Sequence, residues 1–250
     1  MISIRILQSG GPKTAQEWVS RFGFDAEKHP AYLTMALGAG SVTPMQMAAA
    51  YSVFANGGYR VHPWLITKVT DHKGRVISET TPPTLDETNR AIDARNAFVM
   101  NSLLQEVTRS GTAARAQATL KRTDLAGKTG TTNDSVDAWF AGYQPTVAAV
   151  TWIGYDTPRN LGSRETGGGL SLPVWISFMD RALKGVPITE PKVPAGVVNV
   201  GGDWLYEEYA RRGVPSLGLE DKGSSTTPLA APPQQPAAEE RNRILDLFKN

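Results

Sequence analysis

A lysine, several hydroxyls and a glycine stand side by side at Lys128-Thr129-Gly130-Thr131-Thr132, and the run continues into Asp137-Ala138-Trp139-Phe140-Ala141-Gly142-Tyr143. On one extended strand such side chains hold an anion: the ammonium supplies charge, and the hydroxyls of Thr129 and Thr131 bind carboxylate oxygens. A ligand lying antiparallel along the strand would also take main-chain hydrogen bonds from it. Gly130 lets that ligand come close, because a Cβ there would stand between ligand and backbone. The stretch is therefore expected to be a carboxylate-binding edge strand. Taken alone, Lys128 is explained as well by a solubilising edge lysine that discourages aggregation.

The flanking sequence predicts the elements that carry this strand. From Ala91 to Arg109, Phe98, Met100, Leu103, Leu104 and Val107 recur at helical spacing, and Gly111 follows as a stop. Strands over 126–132, 137–143 and 147–155 predict a meander, with Gln144-Pro145-Thr146 as a tight turn. Trp139 and Tyr143 alternate with Phe140, so some of these aromatics belong to the core. Upstream, Gly11-Pro12 and Gly23 bracket a short helix. Thr43-Pro44-Met45-Gln46 predicts a capping box opening a helix that runs to Asn56, with Met47, Tyr51 and Phe54 facing the core. Residues 59–79 alternate around Asp71-His72-Lys73-Gly74 as a hairpin.

Downstream, Gly167-Gly168-Gly169 suggests a flexible turn into a helix from Pro173 to Lys184, with Trp175, Ile176, Phe178, Met179 and Leu183 clustered. Short helices are expected over 203–212 and 243–248. Residues 222–240 are too poor in apolar side chains to offset the cost of ordering, which predicts disorder.

Other chemistries fit poorly. The 250 residues carry 26 basic against 24 acidic side chains, a net charge of +2 that calls for no polyanion, so nucleic acid is not expected. The absence of cysteine excludes disulfides and thiolate metal sites. His29, His62 and His72 are scattered without metal-ligand spacing, and no metal or cofactor is expected. Gly127-Lys128-Thr129 imitates the end of a P-loop, but Arg122 stands where that motif needs glycine. There is no secretory signal pattern, and no apolar run approaches the roughly 20 residues that span a bilayer.

The order of segments carries more than the triplet alone. Met35-Ala36-Leu37-Gly38-Ala39-Gly40-Ser41-Val42-Thr43-Pro44 precedes Ala50-Tyr51-Ser52-Val53-Phe54-Ala55-Asn56-Gly57-Gly58. Then come Ser110-Gly111-Thr112-Ala113, the Lys-Thr-Gly hairpin, and Gly167-Gly168-Gly169 leading to Leu172-Pro173-Val174-Trp175. In this order the chain resembles the C-terminal part of class A penicillin-binding proteins of the 1A type.

The resemblance implies an α+β transpeptidase fold, an antiparallel sheet flanked by helices, over residues 1–185. An extension is expected at 186–221 and a Pro/Ala/Ser-rich tail at 222–250. It implies acyl transfer from peptidoglycan stem peptides ending in D-Ala-D-Ala, with β-lactams as substrate mimics, at the periplasmic face of the inner membrane. Lys128 would then contribute to a relay and to the electrostatics. Thr129, Gly130, Thr131 and Thr132 would line the substrate, and the Thr131 N–H would form half of an oxyanion hole. Thr112 matches a position at the active-site rim, and is equally explained as a loop threonine.

No serine in the sequence precedes a lysine by three positions or an asparagine by two. Both serine motifs of the family are therefore absent. The expectation is a chain truncated before residue 1, without the serine-motif helix and the first strands of the sheet, and inactive alone. The alternative is a non-catalytic module that binds peptidoglycan peptides or a partner.

Overall fold

The computed structural model describes residues 2–213. The stretches expected to be disordered (222–240) and helical (243–248) lie outside the described residues. The chain opens with α1 (Ile2–Gly10) and α2 (Pro12–Val19); α2 starts on its proline and closes through a 3-10 turn onto Gly23. In α3 (Pro44–Ala55) the Gln46 N–H donates to Thr43 Oγ1 at 3.1 Å and the Thr43 N–H donates to Gln46 Oε1 at 2.9 Å, the capping box expected from sequence. Ala50 and Val53 are its buried residues, while Tyr51 and Phe54 pack on the core from half-buried positions.

The hairpin appears as β1 (Lys68–Thr70) and β2 (Val76–Glu79), shorter than the alternation suggested and exposed along both strands. At its turn Asp71 Oδ1 accepts from the N–H groups of Lys73 and Arg75, each at 2.9 Å.

The helix α4 (Ala94–Arg109) starts later than expected because Asp93 caps it, its carboxylate accepting from the Arg95 N–H. Its buried stripe is Ala97, Asn101, Leu104 and Thr108. Of the apolar residues that recur at helical spacing, Leu104 alone is buried, and Leu103 is 58% exposed. Polar residues can occupy that stripe because each finds a partner. The Tyr143 hydroxyl donates to Asn101 Oδ1 at 2.8 Å, and the Thr108 hydroxyl donates to the Leu125 carbonyl at 2.5 Å. Burial pushes the Tyr143 phenol well above its ordinary pKa, with nearby Tyr51 adding to the shift, so it stays a donor at any working pH. Tyr143→Phe is expected to cost about 1–3 kcal/mol, because Asn101 Oδ1 would be left buried without its donor. Urea denaturation of the variant against wild type measures it.

A second helix, α5 (Ala114–Leu120), follows at once and escapes a pattern search because its buried residue is the small Ala116. The meander is present as β3 (Ala126–Thr131), β4 (Ala138–Gln144) and β5 (Val147–Ile153), antiparallel in the order β3-β4-β5, with Lys128 opposite Ala141 and Gly130 opposite Trp139. Strand alternation sends Ala126 and Tyr143 to one face, where Leu104, Tyr51 and Phe54 meet them. Leu125 and Phe140 face the other side, against Ala113 and Ala116 and against Trp175 and Met179 of α6 (Leu172–Ala182). Helices thus cover both faces of an antiparallel sheet, the α+β architecture the resemblance implied.

Phe178, expected in the α6 cluster, is 53% exposed; the buried stripe is Leu172, Trp175, Ile176 and Met179, and Phe178 lies off it. The predicted helix at 203–212 is half strand. β6 (Val197–Val200) pairs with β7 (Asp203–Tyr206), and a helix, α7 (Glu207–Arg212), occupies the rest. This unit docks on α4, with the Trp204 ring edge-on to Phe98 at 5.0 Å and Arg95 paired to Glu208 at 3.0 Å. Phe98 therefore faces this extension rather than the central core. No described helix is long and apolar enough to cross a membrane.

Candidate carboxylate-binding site

Strand β3 lies at one edge of its sheet, so its outer side is open to a ligand. Alternation puts Lys128 and Thr129 on opposite faces, yet the exposed lysine wraps around the free edge. Its Nζ donates to the Thr129 carbonyl at 2.9 Å and lies 3.3 Å from Thr129 Oγ1. Lys128 forms no ion pair with any described residue, so its charge remains available.

Thr112 enters from the turn between α4 and α5, and its hydroxyl lies 2.7 Å from that of Thr129. The turn is tight enough that a Cβ on Gly111 would stand 2.8 Å from Val107 Cα. Thr131 Oγ1 accepts from the Gly167 N–H at 3.0 Å, which leaves its own proton to be donated elsewhere. The structure thus brings Lys128, Thr129 and Thr112 into one hydrogen-bonded cluster, with Thr131 on the same strand.

Thr132 sits differently. Its hydroxyl accepts from the Asp137 N–H at 2.7 Å and its N–H donates to the Asp137 carbonyl at 3.1 Å, closing the β3–β4 turn. The Trp152 indole donates to Asp137 Oδ1 at 2.8 Å and steadies that closure. At Gly130 the nearest neighbour of an added Cβ is Trp139 Cβ, 3.2 Å away, so the missing side chain also makes room for the cross-strand indole.

The glycine triplet is not the loose turn the sequence suggested. Gly167–Ser171 forms a π-helical turn capped by Thr166, whose Oγ1 accepts from the Gly169 N–H at 3.1 Å. The Ser171 hydroxyl pins it to the Ala138 carbonyl at 2.7 Å. Gly167 packs so closely that a Cβ would fall 2.2 Å from the Trp139 carbonyl oxygen and 2.4 Å from that of Gly130. Pattern reading passed over this contact because no motif marks it. The only signal was a glycine run of unexplained purpose just before a proline-headed helix.

An ammonium with no carboxylate partner among the described residues, beside hydroxyls on an open strand edge, is suited to a carboxylate with an extended chain behind it. The profile of the penicillin binding protein transpeptidase domain matches residues 1–179. The chain is 45% identical over 244 residues to penicillin-binding protein 1A of Neisseria flavescens, covering 97% of this chain and 30% of that protein. Against penicillin-binding protein 1A of Pseudomonas aeruginosa the identity is 36% over 301 aligned positions, 99% of this chain and 36% of that protein. The chain therefore spans well under half the length of these relatives.

Among solved structures, penicillin-binding protein 1A from Haemophilus influenzae superposes with a TM-score of 0.76 at 31% identity, over 82% of this chain and 38% of that one. PonA1 from Mycobacterium tuberculosis in complex with penicillin V superposes with a TM-score of 0.63 at 25% identity, over 78% of this chain and 55% of that one. On the strength of the domain match and these relatives, the chain belongs to the penicillin-binding protein transpeptidase family.

Proposed function

We propose that the protein carrying this chain is a D,D-transpeptidase of peptidoglycan cross-linking, acting at the periplasmic face of the inner membrane, and that this chain holds its carboxylate-recognition strand. The observation that carries the reading is the Lys128 ammonium, which meets no carboxylate among the described residues and folds over the β3 edge onto Thr129, with Thr112 completing the cluster. A stem peptide ending in D-Ala-D-Ala would lie along β3 with its terminal carboxylate on Lys128 and the threonine hydroxyls. The Thr131 N–H would meet the oxygen that gains charge when the penultimate carbonyl is attacked. A serine hydroxyl makes that attack in this reaction class, forming an acyl ester and releasing the terminal D-alanine; an amine then resolves the ester into a cross-link. Neither serine motif is present in these 250 residues, so this chain is assigned recognition and not attack. Binding of penicillin V by PonA1 supports β-lactams as ligands of the same strand.

Titrating the purified chain with N-acetyl-D-Ala-D-Ala, and incubating it with a labelled penicillin, tests both halves. Reversible saturable binding without a covalent adduct is expected. Lys128→Met should weaken the binding by about 10- to 100-fold, the worth of a charged hydrogen bond. A stoichiometric adduct would show that a residue of this chain is itself a nucleophile. Binding indifferent to Lys128 would remove the recognition role.

A further inference from the structure

Non-glycine residues in left-handed backbone are uncommon, and where they gather the surrounding structure must hold them there. Two lie in succession at the β3–β4 turn, Asp134 at φ 57° and Ser135 at φ 50°, immediately after the proposed ligand-binding threonines. A distant segment holds both. The Asn160 side-chain amide donates to the Asp134 carbonyl, and the Leu161 N–H donates to the Ser135 carbonyl at 2.9 Å. Asn160 is itself braced, because its Oδ1 accepts from the Gly162 N–H at 2.7 Å. The same stretch then passes through another left-handed non-glycine residue, Arg164 at φ 69°, and reaches Gly167, whose N–H binds Thr131 Oγ1. One run of chain thus touches β3 and its turn at both ends.

We propose that residues 160–168 form a strap that positions the ligand-binding end of β3, with Asn160 as the positioning residue. It holds Asp134 and Ser135 in a backbone they would otherwise leave, and so fixes the directions of the Thr131 and Thr132 main chain. The inference rests on the recognition role proposed for β3. Asn160 touches no ligand in this scheme and acts through the turn.

The full chain carries the test. Amide NMR spectra and N-acetyl-D-Ala-D-Ala titrations are compared for wild type, Asn160→Ala and Asn160→Asp; the aspartate keeps the acceptor for Gly162 but loses the donor to Asp134. Both substitutions are expected to shift the Thr131, Thr132 and Ser135 amide resonances and to weaken binding about tenfold, the scale of one lost hydrogen bond that orders a site. Asn160 is exposed, so the unfolding midpoint should hardly move. Adding Asp134→Gly and Ser135→Gly to Asn160→Ala should recover most of the affinity, since glycine adopts the left-handed backbone unaided. Unshifted amides with unchanged affinity would overturn the strap, as would an affinity loss that the glycines fail to recover. If wild type binds no peptide, the recognition role falls, and the amide shifts alone still decide whether Asn160 sets the turn.

Discussion

Asp124→Ala is expected to lower the unfolding free energy by about 3–5 kcal/mol, the cost of removing one partner from a buried ion pair. The Asp124 side chain is 0% exposed and that of Arg122 is 11% exposed, so neither charge has water to fall back on. Arg122 donates to the carboxylate through Nε at 2.9 Å and Nη2 at 2.7 Å. The Gln144 side chain and the Thr189 N–H each add a bond to Oδ2 at 3.0 Å. Arg122 also donates to the carbonyls of Val186 at 2.7 Å and Pro187 at 2.9 Å. The pair therefore ties the chain leaving α6 to the start of β3 and the end of β4. Alanine at 124 would leave the buried guanidinium charge without its counter-ion, and the Gln144 amide and the Thr189 N–H without their acceptor.

The pH dependence has a definite sign. Burial alone raises the Asp124 carboxyl, but hydrogen bonds from Arg122, the Thr189 N–H and Gln144, with the Arg122 charge, outweigh it and hold the pKa below the ordinary value. A carboxyl depressed in the folded state contributes stability that is fully present above its unfolded pKa of about 4 and is lost as pH falls through the folded value. Urea denaturation at pH 7 should show the full gap between wild type and variant, and the gap should shrink below about pH 4. A gap that stays constant down to pH 2 would mean that the carboxylate's charge is not what the site uses.

This cluster also shows where sequence reading stops. Arg122 and Asp124 are neighbours in the chain, but Gln144 and Thr189 reach them only through the fold, and no local pattern announces a buried charge. Signals that act over a few residues were legible. Thr43 and Gln46 form a capping box because its geometry is local, and the β3–β4–β5 meander follows from alternation and tight turns. The buried stripe of α4 does not follow its apolar spacing, because hydrophobicity stands in for burial only where polar side chains lack partners. Asn101 and Thr108 have partners on β4 and just before β3, while Leu103 has none and faces solvent. Helix α5 was passed over because alanines bury well yet leave little periodic signal.

The site divides the same way. Lys128, Thr129 and Thr131, to which the recognition role is proposed, stand in one short run of sequence. The resemblance set Thr112 at a rim position and left a loop role equally open, while its hydrogen bond to Thr129 and the contact of Gly167 with Gly130 and Thr131 had no local signal at all.

That contact makes the three glycines of one run unequal, and Gly167→Ala is expected to be the costly member. Its Cβ would stand 2.2 Å and 2.4 Å from the carbonyl oxygens of Trp139 and Gly130, main-chain atoms of two paired strands that cannot turn aside. At Gly169 the nearest obstacle is Thr166 Oγ1 at 3.3 Å, a side-chain atom that need give by only a few tenths of an ångström, and at Gly168 it is the Thr112 carbonyl at 3.4 Å, an ordinary contact. Overpacking at Gly167 should cost roughly 1–3 kcal/mol of stability, and the other two alanines well under that. The functional loss should be larger in proportion. Relief comes by lifting the π-turn off the sheet, which breaks the Gly167 N–H bond to Thr131 and lets that hydroxyl point elsewhere. Affinity for N-acetyl-D-Ala-D-Ala is then expected to fall more than tenfold in Gly167→Ala, while Gly168→Ala and Gly169→Ala stay within about threefold of wild type, a difference of at most the energy of one hydrogen bond. Equal behaviour of the three alanines in denaturation and binding would mean that the turn does not press on β3 in solution. A graded response would tie the shape of the ligand strand to a residue whose contribution is the absence of a side chain.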